Sequence, residues 1–162
     1  MSQDASEVAV FERAERAILQ VGWLGQRQFM QLLAEERFDL TVPQFYTLLH
    51  ISLHEGECKM SDLARSTHQS AASLTGVIDR LLDKHLVARA RPEGDRRQVT
   101  VQTTERGQAL LHEIKLARTE RMRSAFGQIS VEEAGLLMRL LDTICNALAA
   151  QMTARNEEHS GR

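Results

Sequence analysis

Cysteine is nearly missing. The 162 residues hold two, Cys58 and Cys145, far apart and in neither a CxxC knuckle nor a paired framework. That excludes a disulfide-stapled module and a thiolate zinc site, and suits a reducing compartment. Long apolar runs are missing too. The N-terminal stretch MSQDASEVAVFERAERA mixes acidic with apolar residues, so neither a signal peptide nor a membrane span is expected, and a cytoplasmic location follows. The chain lacks a catalytic set as well. Its six histidines are scattered, and His50 and His54, four apart, have no further ligand with them, so no metal, no cofactor and no enzyme activity is expected.

Charge of one sign is lacking: 20 Lys and Arg oppose 22 Asp and Glu, a net of -2. No global basic field forms, so any nucleic-acid binding must come from a local patch. Such a patch runs from Lys84 to Arg106, where six cations face three anions, a surplus of +3 that leaves -5 for the rest.

What is present is a helical pattern. Apolar residues make up 43% and charged residues 26%, enough to bury a core in one domain of ordinary size. Steps of three and four from Val10 to Leu33 predict one helix over residues 6–36, with a bend or break plausible at Gly22 and Gly25. Thr41 and Pro43 open a helix from Val42 to His54. A turn at Gly56 precedes a start signal at Ser61-Asp62 and a short helix to Ser66. A longer helix follows from Ser70, with Leu74, Val77, Ile78, Leu81 and Leu82 on one face. Two β-like runs, Leu86 to Arg91 and Arg97 to Val101, flank a turn at Pro92 to Asp95. Thr104 caps a helix to about Phe126, and Ser130 with Glu133 makes a capping box for another to about Ala154, with residues 156–162 frayed. The predicted fold is mostly α with a small β-wing, without repeats or low-complexity linkers.

A short helix, a tight turn and a longer helix with a slim start make a helix-turn-helix, whose second helix suits a major groove about 12 Å wide. Ser70, Ala72, Ser73 and Thr75 line that start, and Arg80, two turns on, is placed for the DNA backbone. On the wing, Arg91, Arg96 and Arg97 carry planar guanidinium groups that suit phosphates and a narrow minor groove, while Asp95 orients a neighbouring arginine.

In their order and spacing, Val42-Pro-Gln-Phe, Asp62-Leu-Ala, Ser70 with Ser73 and Thr75, Asp79-Arg-Leu, Leu86-Val, Asp95-Arg-Arg and Thr104-Glu-Arg-Gly resemble the MarR-type winged helix-turn-helix regulators. The resemblance covers nearly the whole chain and is strongest from Leu63 to Leu110. It implies a single domain over 1–162, with a DNA-binding lobe at 40–103 and dimerisation helices at 6–36 and 104–155. It also implies a homodimer on a pseudo-palindromic duplex operator, with the Asp95-Arg96-Arg97 stretch at the minor groove. His85 departs from the pattern, standing where the family usually has a glycine.

Apolar stripes at Leu110, Leu111, Ile114 and Ala117, and from Leu136 to Met152, exceed what a winged lobe covers, which agrees with a dimer. In the resembled family a small ligand often binds between the dimer helices and the DNA-binding lobe. Trp23, Arg27, Phe45, Tyr46 and His50 are the candidate lining for a small aromatic or anionic effector. The leading reading is a repressor released by that effector. A winged-helix protein-interaction module without DNA binding, and a redox-sensing regulator using Cys58 or Cys145, stay open beside it.

Overall fold

The structure is a computed structural model that describes residues 2–54, 58–67, 69–90 and 100–160. Its elements in chain order are α1 (Ser2–Leu33), α2 (Val42–Leu53), β1 (Cys58–Lys59), α3 (Met60–Ser66), α4 (Ala71–Asp83), β2 (Val87–Ala90), β3 (Thr100–Thr103), α5 (Glu105–Phe126) and α6 (Val131–Ser160). They fall into two compact units, Met1–Arg118 and Thr119–Arg162. The fold is mostly α with a small antiparallel sheet, as the periodicity predicts.

Side-chain caps set where several helices begin. At α2, Thr41 Oγ1 accepts from Gln44 N at 3.4 Å while Thr41 N donates to Gln44 Oε1 at 2.9 Å, so two orphan donors of the first turn are satisfied reciprocally. Thr104 Oγ1 accepts from Gly107 N at 3.1 Å at the start of α5. Ser130 and Glu133 repeat the reciprocal box at α6, at 3.2 and 2.7 Å. The Glu133 carboxyl is held below its ordinary range by hydrogen bonding from Ser130, first its backbone N–H and then its side chain.

The core of the first unit gathers Leu32 and Leu33 from α1, Leu48 and Ile51 from α2, Leu63 from α3, Leu74, Ile78 and Leu81 from α4, Val101 from β3 and Ile114 from α5. The sheet has the order β1-β3-β2, with Val87 opposite Thr103, Ala90 opposite Thr100, and Cys58 opposite Val101.

Five expectations need correction. The first helix is unbroken at Gly22 and Gly25 and ends at Leu33, because the chain turns there to bury Phe38 and Leu40, with Leu40 N donating to Leu33 O at 2.9 Å. The short third helix starts at Met60, so Ser61 and Asp62 lie inside its first turn instead of capping it, and Asp62 favours the positive end of the helix dipole from there. Cys58, read as part of a turn, is in a two-residue strand that is too short to show alternation. The described ladder starts at Val87 instead of Leu86 and runs on past Val101 to Thr103, while Arg91 and residues 97–99 of the predicted runs lie outside the described residues. Finally, α6 continues through Ser160.

Candidate nucleic-acid interface

α3 and α4 are joined by residues 67–70, and Ser70 is the N-cap of α4, its Oγ accepting from Ser73 N at 3.2 Å. The inward face of α4 is fixed by Leu74, Val77, Ile78 and Leu81, all buried. This leaves Ser70, Ala72, Ser73, Thr75 and Arg80 exposed, as the helical spacing predicts. Gly76 adds to the slimness, because a Cβ there would meet nothing within 4 Å.

The hydroxyls are not equivalent. Ser70 spends lone-pair capacity on the backbone and keeps its O–H as a donor, which matches phosphate oxygen. Thr75 donates its O–H to Ala71 O at 2.9 Å and keeps acceptor capacity, which matches a base amino group or a donor from water.

The end of α4 joins it to the wing. His85 takes φ 57, so the histidine does occupy the left-handed position that commonly falls to glycine. His85 N donates to Leu82 O at 2.8 Å and Leu86 N to Leu81 O at 2.9 Å, the two bonds of a Schellman close. Thr104 Oγ1 donates to His85 O at 2.8 Å, which ties the same corner to the start of α5.

Two ion pairs, absent from the sequence reading, lock α4 in place. Arg89 on β2 meets Asp79 at 3.0 Å, and Lys84 Nζ meets Asp39 Oδ2 at 2.7 Å and also the Asp39 carbonyl. Asp39 itself has φ 45. Both pairs are surface-exposed on at least one side and worth up to about 1 kcal/mol each, so their effect is on geometry more than stability. They also take Lys84 and Arg89 out of the basic patch. Opposite charges ten or forty-five positions apart carry no periodic signal, so only the fold pairs them. Arg91, Asp95, Arg96 and Arg97 lie outside the described residues.

The five candidate effector residues do not share one cavity. Tyr46 and His50 line a cleft against the α3–α4 segment. Phe45 meets the Tyr46 ring edge-on at 5.3 Å but lines a different cavity, of about 290 Å³, with Leu49, Leu111, Ile114, Lys115 and Arg118. Trp23 is exposed on α1, with the Arg27 guanidinium 5.3 Å from its ring centroid, and neither residue lines these cavities. Phe29, which falls on the apolar spacing of the first helix but is not among the candidate lining, packs edge-on against Phe45 at 4.9 Å and beneath Arg118 at 5.2 Å. Helical spacing had placed it in the core without saying which aromatics would meet it.

Cys58 is buried on β1, and burial together with Asp62 pushes its thiol above the ordinary range, away from the reactive thiolate. Cys145 is exposed on α6. Among the described residues no cluster of three or more His, Cys, Asp or Glu could hold a metal, and no helix is long and apolar enough to cross a membrane.

A slim exposed second helix, a strand pair behind it and a corner that fixes the two together define a winged helix-turn-helix. Comparison with known proteins narrows the class. The MarR family profile matches residues 38–98. YfiV of Bacillus subtilis, described as an uncharacterised HTH-type transcriptional regulator, is 30% identical over 112 residues, 69% of either chain. The Pseudomonas putida transcriptional repressor NicR is 31% identical over 102 residues, 63% of this chain and 64% of NicR. The fold is shared with Staphylococcus aureus MepR, a transcription regulator of the multidrug efflux pump MepA, with TM-score 0.75 at 19% identity over 83% of this chain and 97% of MepR. A MepR mutant solved bound to an oligodeoxyribonucleotide superposes over the same shares at TM-score 0.69 and 20% identity. The chain belongs to the MarR family of HTH-type transcriptional regulators.

Proposed function

We propose that this protein is a homodimeric repressor that binds a pseudo-palindromic duplex operator in the cytoplasm and releases it when a small aromatic or anionic effector binds. The observation that carries the reading is the start of α4. Its first two turns are exposed, slim and hydroxylated, while the opposite face of the same helix is anchored in the core. That combination lets the helix enter a groove without the lobe unpacking. Ser70, Ala72, Ser73 and Thr75 face the bases, Arg80 the backbone, and Arg91, Arg96 and Arg97 of the wing, oriented by Asp95, the adjacent minor groove. NicR being a repressor, and a MepR mutant having been solved on an oligodeoxyribonucleotide, support the same direction.

Within a single domain over 1–162, residues 40–103 act as the DNA-binding lobe, and 6–36 with 104–155 pair two copies. The support is exposed apolar surface: Val10, Phe11, Ile18, Val21 and Leu24 on α1, and Leu136, Leu140, Leu141, Ile144 and Leu148 on α6. Stripes of this extent mark an interaction surface. Replacing Leu141 and Ile144 together with glutamate puts two charges where each apolar side chain is worth about 1.5–3 kcal/mol on burial, enough to lower association at least about a hundredfold. Sedimentation is expected to give two copies of the 18.3 kDa chain for the parent and one for the variant. A parent that sediments as one copy would rule the dimer out.

Effector release draws on the cavity beside Phe45, whose apolar floor and Lys115 and Arg118 rim fit an aromatic anion. The operator itself is tested by selection from random duplexes. The expected product is an inverted repeat with half-sites about one helical turn apart. Enrichment of no sequence, or of an unpaired half-site, counts against the two-fold arrangement.

A further inference from the structure

A second cleft, of about 460 Å³, lies wholly within the first unit, between α2 and the segment joining α3 to α4. Its size is in the range of small-molecule sites. Val42, Leu49 and Leu53 of α2 give it an apolar wall, and among the described residues lining it none is Asp, Glu, Lys or Arg. His50 does not supply charge either, because burial and the neighbouring His54 hold its imidazole below the ordinary histidine range. The cavity beside Phe45 is different, with Lys115 and Arg118 at its edge.

The opposite wall is biased toward acceptors. Ser66 and Thr67 both spend their O–H on Leu63 O, at 3.1 and 2.7 Å, which leaves their oxygens free to accept. Gln69 donates through Nε2 to Thr47 Oγ1 at 3.0 Å, and its Oε1 is buried with no hydrogen-bond partner among the described residues. With the Ser66 and Thr67 oxygens left as acceptors on this wall, a donor on the occupant is favoured over a second acceptor. Ser73, from the exposed start of α4, completes that wall.

We propose that this cleft binds a neutral small molecule with a flat apolar body and an N–H or O–H donor, and that its occupant competes with duplex for the start of α4. The competition, though not the binding, rests on the DNA-contact role given to Ser73 above. A molecule that touches Ser73 occupies the surface a groove would need, and steric exclusion requires no movement of the dimer.

Benzamide is a suitable probe, and benzoate is its anionic counterpart of the same shape. In a ¹H–¹⁵N titration of the full chain at millimolar concentration, benzamide is expected to shift the amides of Thr67, Gln69 and Ser73, and benzoate, which suits the cavity beside Phe45, is not. Leu53→Glu, at an exposed lining position, sets a carboxylate in the apolar wall and is expected to reduce those shifts at least about fivefold. Tyr46→Ala is the second variant, read the same way, should Leu53→Glu disturb the rest of the spectrum. Absent shifts, shifts confined to Leu111 and Lys115, or equal response to benzoate would overturn the site. Duplex affinity is measured separately without the probe. A protein that fails to bind duplex refutes the DNA reading and leaves the site standing. One that binds duplex equally with benzamide saturating refutes the competition.

Discussion

Duplex affinity is expected to fall about a thousandfold between 50 and 200 mM salt, because a dimer neutralising about six phosphates loses affinity with a log–log slope near -5. The charges available are few. Lys84 and Arg89 of the basic patch are held by Asp39 and Asp79, so they do not contribute full charges to the duplex. Arg80 on α4 and Arg91, Arg96 and Arg97 of the wing remain as the proposed contacts, four per chain, and three used per half-site give the six assumed. With a net of -2 on the whole chain, no global field adds to these contacts at long range.

That count makes the wing separable from α4. Arg96→Ala with Arg97→Ala is expected to weaken binding at least about tenfold and to make the salt slope shallower by at least about 2, since removing two of the four arginines costs at least one phosphate contact in each half-site. Ser73→Ala leaves the slope as it is and changes which bases are preferred, since a hydroxyl at a base edge carries no net charge. A fluorescence anisotropy series at four salt concentrations reads all three proteins. An arginine variant with the parent's slope removes the wing from the mechanism, and a parent with no slope removes the duplex.

The helices of this fold are legible because their signals are local. Thr41 with Gln44, Thr104 with Gly107 and Ser130 with Glu133 are three-residue devices, and the buried face of α4 repeats at helical spacing. His85 stood out only through the resemblance, which usually has a glycine at that position, and its φ of 57 is the left-handed conformation. What sequence periodicity does not carry is meeting between elements. Leu40 closing back on Leu33, Cys58 pairing with Val101, and Asp79 reaching Arg89 all depend on where the chain returns in space. The candidate site divides in the same way. Exposure of Ser70, Ala72, Ser73 and Thr75 follows from helix phase alone. The effector residues were grouped by chemistry, while the fold brings the Phe45 and Tyr46 rings together at 5.3 Å and still puts them in the linings of different cavities that share Leu49.

Gly107→Ala is expected to destabilise the protein by about 2 to 3 kcal/mol, in the upper part of the range for overpacked cores and against the gain of about 1 kcal/mol that alanine brings to a helix. An added Cβ would press on the Leu86 carbonyl, with the carbonyl carbon at 3.1 Å and Thr103 Cγ2 at 2.8 Å. The carbonyl cannot easily withdraw. Leu86 O already accepts from Thr104 N at 3.1 Å, and Leu86 N is bound to Leu81 O at 2.9 Å, so the residue is held from α4 on one side and α5 on the other. Any yielding therefore moves the corner at His85 and Leu86 from which β2 leaves, and duplex affinity drops together with stability. Gly76→Ala is the matched control. Its Cβ meets nothing, so the fold gains up to about 1 kcal/mol in the helix, yet the methyl projects from the face proposed to enter the groove. Thermal melting of the two variants should thus move in opposite directions, while both bind duplex less well. Equal melting temperatures would mean the Leu86 corner gives way, and a Gly76→Ala protein with undiminished affinity would take the start of α4 off the DNA.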